Sequence, residues 1–105
     1  MLLGDGPTGA GGRMRAYIGE RARGGAAMVS IESAPVHPGS LYAREQVQLY
    51  DDAVVPYLAS IADDVHDAGS TLSIILWHGG PHLTFRAGRP LIAASAVPSL
   101  RGEIP

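Results

Sequence analysis

An apolar run, LSIILW, extends from Leu72 to Trp77 and gives the clearest indication of the fold. A nearly continuous apolar run of this length is typical of a strand that is covered on both faces, as strands are in parallel sheets. It is followed by the segment HGGP at residues 78–81, after which loop-forming residues dominate. The pattern therefore predicts a buried strand at Leu72–Trp77 and a loop after it.

A second strand is predicted at Ala27–Glu32, where the sequence is short, mostly apolar and β-branched toward its end. Gly24 and Gly25 precede it and Pro35 follows it, and such residues are typical boundaries of strands. The next stretch, residues 33–50, contains Pro, Gly and Ser with little apolar periodicity. We therefore expect it to be a long loop.

Two helices are predicted, one before each strand. The segment Arg13–Ala22 has an apolar side formed by Met14, Tyr17 and Ile18, and the glycines that follow it would end a helix. The second helix, Asp51–Asp67, starts with acidic residues, which stabilise the positive end of a helix dipole. Its apolar residues recur at helical spacing: Val54, Val55, Leu58, Ile61, Ala62 and Val65.

The order helix–strand–helix–strand, with long loops after the strands, is typical of repeated βα units. The carboxyl ends of parallel strands carry the active sites of βα folds, and Glu32, Trp77 and His78 lie at those ends. A carboxylate and an imidazole there could perform acid–base chemistry, whereas the alternative for Glu32 is to brace the neighbouring loop. Because two strands leave uncovered edges, we expect the segment to be part of something larger.

The composition excludes several classes of protein. The 105 residues allow one domain at most, and 46% hydrophobic with 17% charged residues argue against a disordered chain. A net charge of −2, with no cluster of arginines, argues against a nucleic-acid or membrane partner. The absence of cysteine excludes a disulfide, a cysteine-ligated iron–sulfur cluster and a thiol nucleophile. With neither a membrane-spanning run nor a signal-peptide pattern, we expect a cytoplasmic protein.

The glycines at the start of the chain match a G-x-G-x-x-G pattern at Gly4, Gly6 and Gly9. A dinucleotide-binding motif of this kind needs a strand before it, and only three residues precede it here. Pro7 also removes a backbone donor from the proposed phosphate cradle. We therefore interpret residues 1–12 as a flexible leader.

The histidines do not predict a metal site. His78 and His82 have the spacing of helical metal ligands, yet the intervening segment GGP is incompatible with a helix. His37 and His66 are expected to lie in a loop and on a helix surface. We accordingly predict no metal ligands in the chain.

Five segments of the chain form an ordered set of motifs. They are ERARGGAAMVSIE with VHP (residues 20–38), YDD with VHDAG (50–69), LWHGG (76–80), ASAVPS (94–99) and GEIP (102–105). In this order they resemble motifs of the NADH:flavin oxidoreductase family, also called the old yellow enzyme family. Each segment alone is a weak match, but together they extend over most of the chain.

The resemblance implies a partial (β/α)8 TIM barrel, to which this chain would contribute about two βα units, the second and third of eight strands. It also implies an oxidoreductase that binds FMN and passes hydride from NAD(P)H to the flavin and on to an activated alkene or related small-molecule acceptor. By the same resemblance, the backbone of Ser33 contacts the flavin, Trp77 lines the substrate pocket, and His78 lies in the same rim. No catalytic residue is assigned within the chain.

The sequence departs from the family pattern at Ile75, a flavin-binding position at which the family has Gln. The alkyl side chain of Ile75 cannot form the hydrogen bond to the flavin that Gln forms in the family. The family's first strand, its substrate-binding His pair and its phosphate-binding loops have no counterpart in the chain. We therefore expect residues 13–105 to be the N-terminal part of an incomplete barrel that is inactive alone. The alternatives are a non-enzymatic remnant, an interaction piece that pairs with a complementary barrel fragment, or an unrelated βα domain with chance matches.

Overall fold

Two helices and two strands alternate along the chain in the predicted order. The structure, a computed structural model, describes residues 12–82, 90–98, 102 and 104. Its regular elements are α1 (Arg13–Arg23), β1 (Met28–Pro35), α2 (Val55–Asp67) and β2 (Thr71–Trp77), with 3-10 turns at Pro38–Ser40, Asp52–Val54 and Gly80–His82. Gly12 is the N-cap of α1. The rest of the expected leader, with its glycine pattern, lies outside the described residues.

The two strands form a parallel sheet, which confirms the predicted pairing. Met28 lies opposite Thr71, and Ile31 lies opposite Ile74. The two helices pack against each other and against the sheet through one shared apolar cluster. This mixed α/β arrangement is consistent with a part of a TIM barrel, while the closed barrel stays a prediction.

The core lies between the helices and one face of the sheet. Ile31 of β1 is fully buried there, as are Ile61 and Val65 of α2, which share the predicted apolar side of that helix. The cluster is completed by Met14, Ile18, Ala22, Val29, Ala34, Val47, Val54 and Tyr57. Met28 and Ser30, which alternate with the buried residues of β1, are exposed on the other face of the sheet.

The first strand is longer than predicted. A loop is expected from Ser33 onward, but β1 continues to Pro35. Ala34 pairs with Leu76, and Pro35 pairs with Trp77, so the neighbouring strand supplies partners that local composition does not reveal. A proline is tolerated there because it is the last residue of the strand.

The second helix begins with a tighter turn than predicted. Asp51 is the N-cap of the 3-10 turn, its Oδ1 accepting a hydrogen bond of 2.9 Å from the backbone N–H of Ala53, and the α-helix starts at Val55. Pro56 lies in the first α-helical turn, where the missing N–H has no intrahelical partner to lose. The acidic start was therefore predicted correctly, and the helix type of the first turn was wrong.

β2 is not covered on both faces as its sequence predicts. The side chains of Ile75 and Leu76 are 52% and 71% exposed. Among the described residues, β1 is the one strand that pairs with β2. An apolar run indicates burial only when neighbouring elements are present to cover it, and the described residues do not include them.

β1 carries an irregularity in register close to its carboxyl end. Ile31 pairs with Ile74 and Ala34 pairs with Leu76, so two residues of β1 stand opposite one residue of β2. These residues are Glu32 and Ser33 on β1, with Ile75 opposite them. Such a bulge bends the strand locally and is frequent next to functional sites.

An ion pair joins the exposed sides of the two helices. Arg15 of α1 donates hydrogen bonds from Nε and Nη2 to the carboxylate of Asp64 of α2, at 2.6 and 2.8 Å. The hydrogen bond that this guanidinium donates is the main reason that the pKa of Asp64 is lowered below its usual value. Across the described residues, no helix is long and apolar enough to cross a membrane.

Candidate functional site

The candidate site is the edge of the sheet at which both strands end. Because the strands are parallel, the bulge of β1 and the end of β2 lie at the same edge. The register places Ser33 and Ile75, the two positions predicted to contact flavin, across from each other at the bulge. Glu32 lies half-buried beside Ser33 in the same bulge.

The backbone of Ser33 is held by a residue that the sequence analysis missed. The carbonyl oxygen of Ser33 accepts a hydrogen bond of 3.0 Å from Nε2 of Gln46. The Gln46 side chain is buried, and its Oε1 accepts the backbone N–H groups of Tyr42 and Ala43 at 3.0 and 3.2 Å. No local pattern marks this glutamine, because its role comes from a contact with a distant strand.

Trp77 is anchored by the loop that follows β1. Its indole Nε1 donates a hydrogen bond of 3.1 Å to the carbonyl oxygen of Ser40, and the ring of Tyr42 meets its ring edge-on at 6.0 Å. Buried Ser40 also accepts the backbone N–H of Gly79 on its Oγ at 3.0 Å. These hydrogen bonds therefore join the loop after β1 to the turn after β2 beside the half-buried tryptophan.

His78 lies next to a second imidazole. The ring centroids of His37 and His78 are 6.0 Å apart, with the ring planes inclined by 46°. The sequence places His37 correctly in a loop, but it does not reveal that this loop returns to the end of β2. His66 lies exposed on α2, as expected.

The open face of the sheet continues the candidate site. The hydroxyls of Ser30 and Ser73 are 2.5 Å apart, so these residues share a face. By the alternation of a strand, Ile75 and Trp77 lie on the same face of β2 as Ser73. This face presents a half-exposed alkyl group next to an aromatic ring.

The side chains at the candidate site do not meet the requirements of a metal centre in the part of the chain that the structure describes. Within the described ranges, no group of three or more His, Cys, Asp or Glu side chains is placed to hold a metal ion. The His78–His82 segment forms a 3-10 turn at Gly80–His82. What the edge of the sheet presents is an apolar and aromatic surface with two imidazoles beside it.

A match to a family model identifies the family of the chain. Residues 4–99 match the model of the NADH:flavin oxidoreductase / NADH oxidase family. The chain belongs to this family. The resemblance inferred from five sequence segments is thereby confirmed.

Two curated relatives support the assignment to the NADH:flavin oxidoreductase family. The chain is 37% identical over 86 residues to a probable N-methylproline demethylase from Rhizobium meliloti, a match that covers 79% of this chain and 13% of the relative. It is 34% identical over 88 residues to a metal reductase from Desulforamulus reducens, which covers 81% of this chain and 13% of that relative. The chain therefore spans 13% of the length of each of them.

The residues at the edge fit the flavin of this family in part. The half-exposed side chain of Ile75 and the neighbouring Trp77 form an apolar surface of the kind that packs against a flat aromatic ring. The alkyl group of Ile75 cannot hydrogen-bond a flavin edge, and the carbonyl of Ser33 is already engaged by Gln46. The described part of the chain therefore suits contact with the face of the ring more than hydrogen bonding to its edge.

Proposed function

We propose that the chain is the part of an FMN-dependent oxidoreductase of the old yellow enzyme type that contributes two βα units to a TIM barrel. The observation that carries the proposal is the family match over residues 4–99. Bound FMN supplies hydride transfer between NAD(P)H and an activated alkene or related acceptor. The contribution of this chain is to shape one side of the flavin and substrate pocket.

Each residue at the strand ends has a role in this proposal. The backbone of Ser33 and the side chain of Ile75 contact the flavin from two neighbouring strands. Trp77 and His78 line the substrate side. Because Trp77 is fixed by Ser40, the wall that it forms keeps its orientation before any ligand binds.

The relatives widen the range of substrates to be tested. One is named a probable N-methylproline demethylase and the other a metal reductase. We therefore include an N-methylated amino acid in the proposed substrate class as a hydride donor that would reduce the flavin, beside the activated alkenes as hydride acceptors. Both kinds of substrate are small molecules, and a pocket at the ends of barrel strands accommodates molecules of that size.

A second candidate function is an interaction piece that pairs with a complementary barrel fragment. The exposure of Ile75 and Leu76 favours this candidate, because β2 has a partner on one edge only among the described residues, and such side chains are suited to a neighbouring strand on the other edge. An isolated non-enzymatic remnant would have the same exposed edge but no partner that restores activity.

Split-protein reconstitution tests these candidates. The chain is co-expressed with the Rhizobium relative from which the matching 86-residue segment has been removed. We expect co-purification of the two pieces with bound flavin, and reduction of that flavin by NADH or NADPH. Co-purification without flavin would support the interaction piece alone, and a failure to associate would contradict both candidates. The unmodified relative serves as the positive control.

A further inference from the structure

The two imidazoles at the strand ends are held in the same way by the backbone. Nδ1 of His37 accepts the backbone N–H of Gly39 at 3.0 Å. Nδ1 of His78 accepts the backbone N–H of Gly80 at 3.1 Å. In each case the donor is the backbone N–H of the residue two positions further along the chain. The centroids of the two rings are 6.0 Å apart.

These backbone hydrogen bonds determine which ring nitrogen carries the proton. A nitrogen that accepts an N–H is unprotonated, so the proton of the neutral imidazole is on the other nitrogen. His37 and His78 therefore each present an Nε2–H donor. The ring centroids are 6.0 Å apart, so the two imidazoles are close enough for one small ligand group to contact both.

The same tautomer opposes metal binding by the pair. A histidine that ligates a metal through Nε2 has lost the proton there and donates from Nδ1 to a neighbouring acceptor. His37 and His78 have the reverse arrangement, because each Nδ1 faces a donor. The pair is thus arranged to donate two hydrogen bonds.

The donors are held in place before a ligand arrives. A Cβ on Gly39 would lie 3.0 Å from Nδ1 of His37, so the turn packs closely on this ring. Next to His78, the backbone N–H of Gly79 donates a hydrogen bond to Oγ of buried Ser40. Two donors that are already ordered lose little conformational entropy when they bind.

We propose that His37 and His78 form a paired N–H donor site for the carboxylate of a small-molecule ligand. Two donors side by side match the two oxygens of a carboxylate. Phosphate groups are more often bound by arginine guanidinium groups or the N-termini of helices. Assigning this carboxylate to the substrate of the enzyme rests on the proposed function, whereas the donor pair stands on its own geometry.

Histidine footprinting of the full chain tests the donor pair without flavin. The chain, at low micromolar concentration, is treated with diethyl pyrocarbonate, and the modification rate of each histidine is measured by mass spectrometry. Sodium acetate is the probe, and sodium chloride at equal ionic strength is the reference. We expect acetate to slow the modification of His37 and His78 together and to saturate, while exposed His66 keeps its rate.

A variant of His37 tests the Nε2–H donor while keeping the hydrogen bond that holds the turn at Gly39. In His37→Asn, the side-chain oxygen can still accept the N–H of Gly39, as Asn does at an N-cap, but the Nε2–H is lost. We expect the acetate concentration for half-protection of His78 to rise about 2- to 12-fold, which is the effect of one hydrogen bond. His66→Asn is the matched control and should leave the protection of His78 unchanged.

Several results would overturn the proposal. They are a lack of acetate protection in the unmodified chain, equal slowing at His66, unchanged protection in a folded His37→Asn variant, or stronger protection by inorganic phosphate or zinc chloride than by acetate. The comparison with His66 within the unmodified chain decides the matter even if the variant does not fold. If acetate protects but reconstitution yields no flavoprotein, the proposed function fails and the donor pair stands. If reconstitution yields a flavoprotein but acetate does not protect the histidines, the donor pair is rejected and the proposed function stands.

Discussion

The side-chain amide of Gln46 donates a hydrogen bond of 3.0 Å to the backbone carbonyl oxygen of Ser33. Ser33 lies in the bulge of β1, across from Ile75, and Gln46 is a buried residue of the loop that follows β1. One amide therefore connects the loop to the strand at the point where flavin contact is proposed. The shape of the candidate site depends on a residue that is itself fully covered.

Replacing Gln46 by Leu is expected to lower the free energy of unfolding by about 1–3 kcal/mol. The substitution leaves the carbonyl of Ser33 and the N–H groups of Tyr42 and Ala43 without their partner in a partly buried place. Urea unfolding followed by circular dichroism measures the change. Gln48→Leu is the matched control, because the partner of Gln48 is the hydroxyl of Tyr50, which can turn toward water. An equal loss in both variants would contradict this account of Gln46.

FMN is expected to bind weakly to the isolated chain, because a barrel cofactor site collects its contacts from loops after several strands. In the reconstituted complex, Ile75→Gln should tighten FMN binding by about 2- to 12-fold, since it adds one hydrogen bond to the flavin edge. Quenching of flavin fluorescence measures both affinities. Ile92→Gln, at another exposed isoleucine, should have no effect. Tight stoichiometric binding by the chain alone would show that the contacts are not distributed in this way.

The ion pair of Arg15 and Asp64 should contribute to stability in a pH-dependent manner. The pKa of Asp64 is lower in the folded chain than its ordinary value, chiefly because of the hydrogen bond from Arg15. The stabilisation is therefore fully present above the ordinary pKa of an aspartate and is lost as the pH falls through the folded pKa.

Thermal unfolding across this acidic range measures the effect of the pair. Asp64→Asn should reduce the pH dependence slightly, and salt should weaken the difference, because both side chains are at least partly exposed to solvent. Asp63→Asn, at the adjacent exposed position, is the control. A pH dependence that is unchanged in Asp64→Asn and reduced in Asp63→Asn would contradict the assignment.

The edge of β2 that has no partner strand in the described part of the chain should cause the isolated chain to self-associate as its concentration rises, because apolar side chains and backbone hydrogen-bonding groups lie together there. Leu76→Lys should reduce this association, since a charge on an edge strand opposes pairing with another strand. Sedimentation velocity over a concentration series measures it. Val55→Lys, at an exposed valine of α2, is the control and should leave association unchanged. A monomer at all concentrations would contradict the interpretation of this edge.

Local sequence patterns determined the two helices, the two strands and their order. Helical spacing selected Ile61 and Val65 as core residues, and both are fully buried. The apolar runs identified both strands, and the order of the elements predicted their parallel pairing. The family was also accessible from sequence, because its motifs are short contiguous segments.

The contacts at the ends of those strands arise only in the folded chain. The bulge at Glu32 and Ser33 arises from the register with β2, and the contact of Trp77 with Ser40 joins residues 37 positions apart. The approach of His37 to His78 is likewise a consequence of the loop returning to the neighbouring strand. Periodicity and turn signals describe neighbours along the chain, whereas these contacts form between segments that meet only once the sheet has assembled.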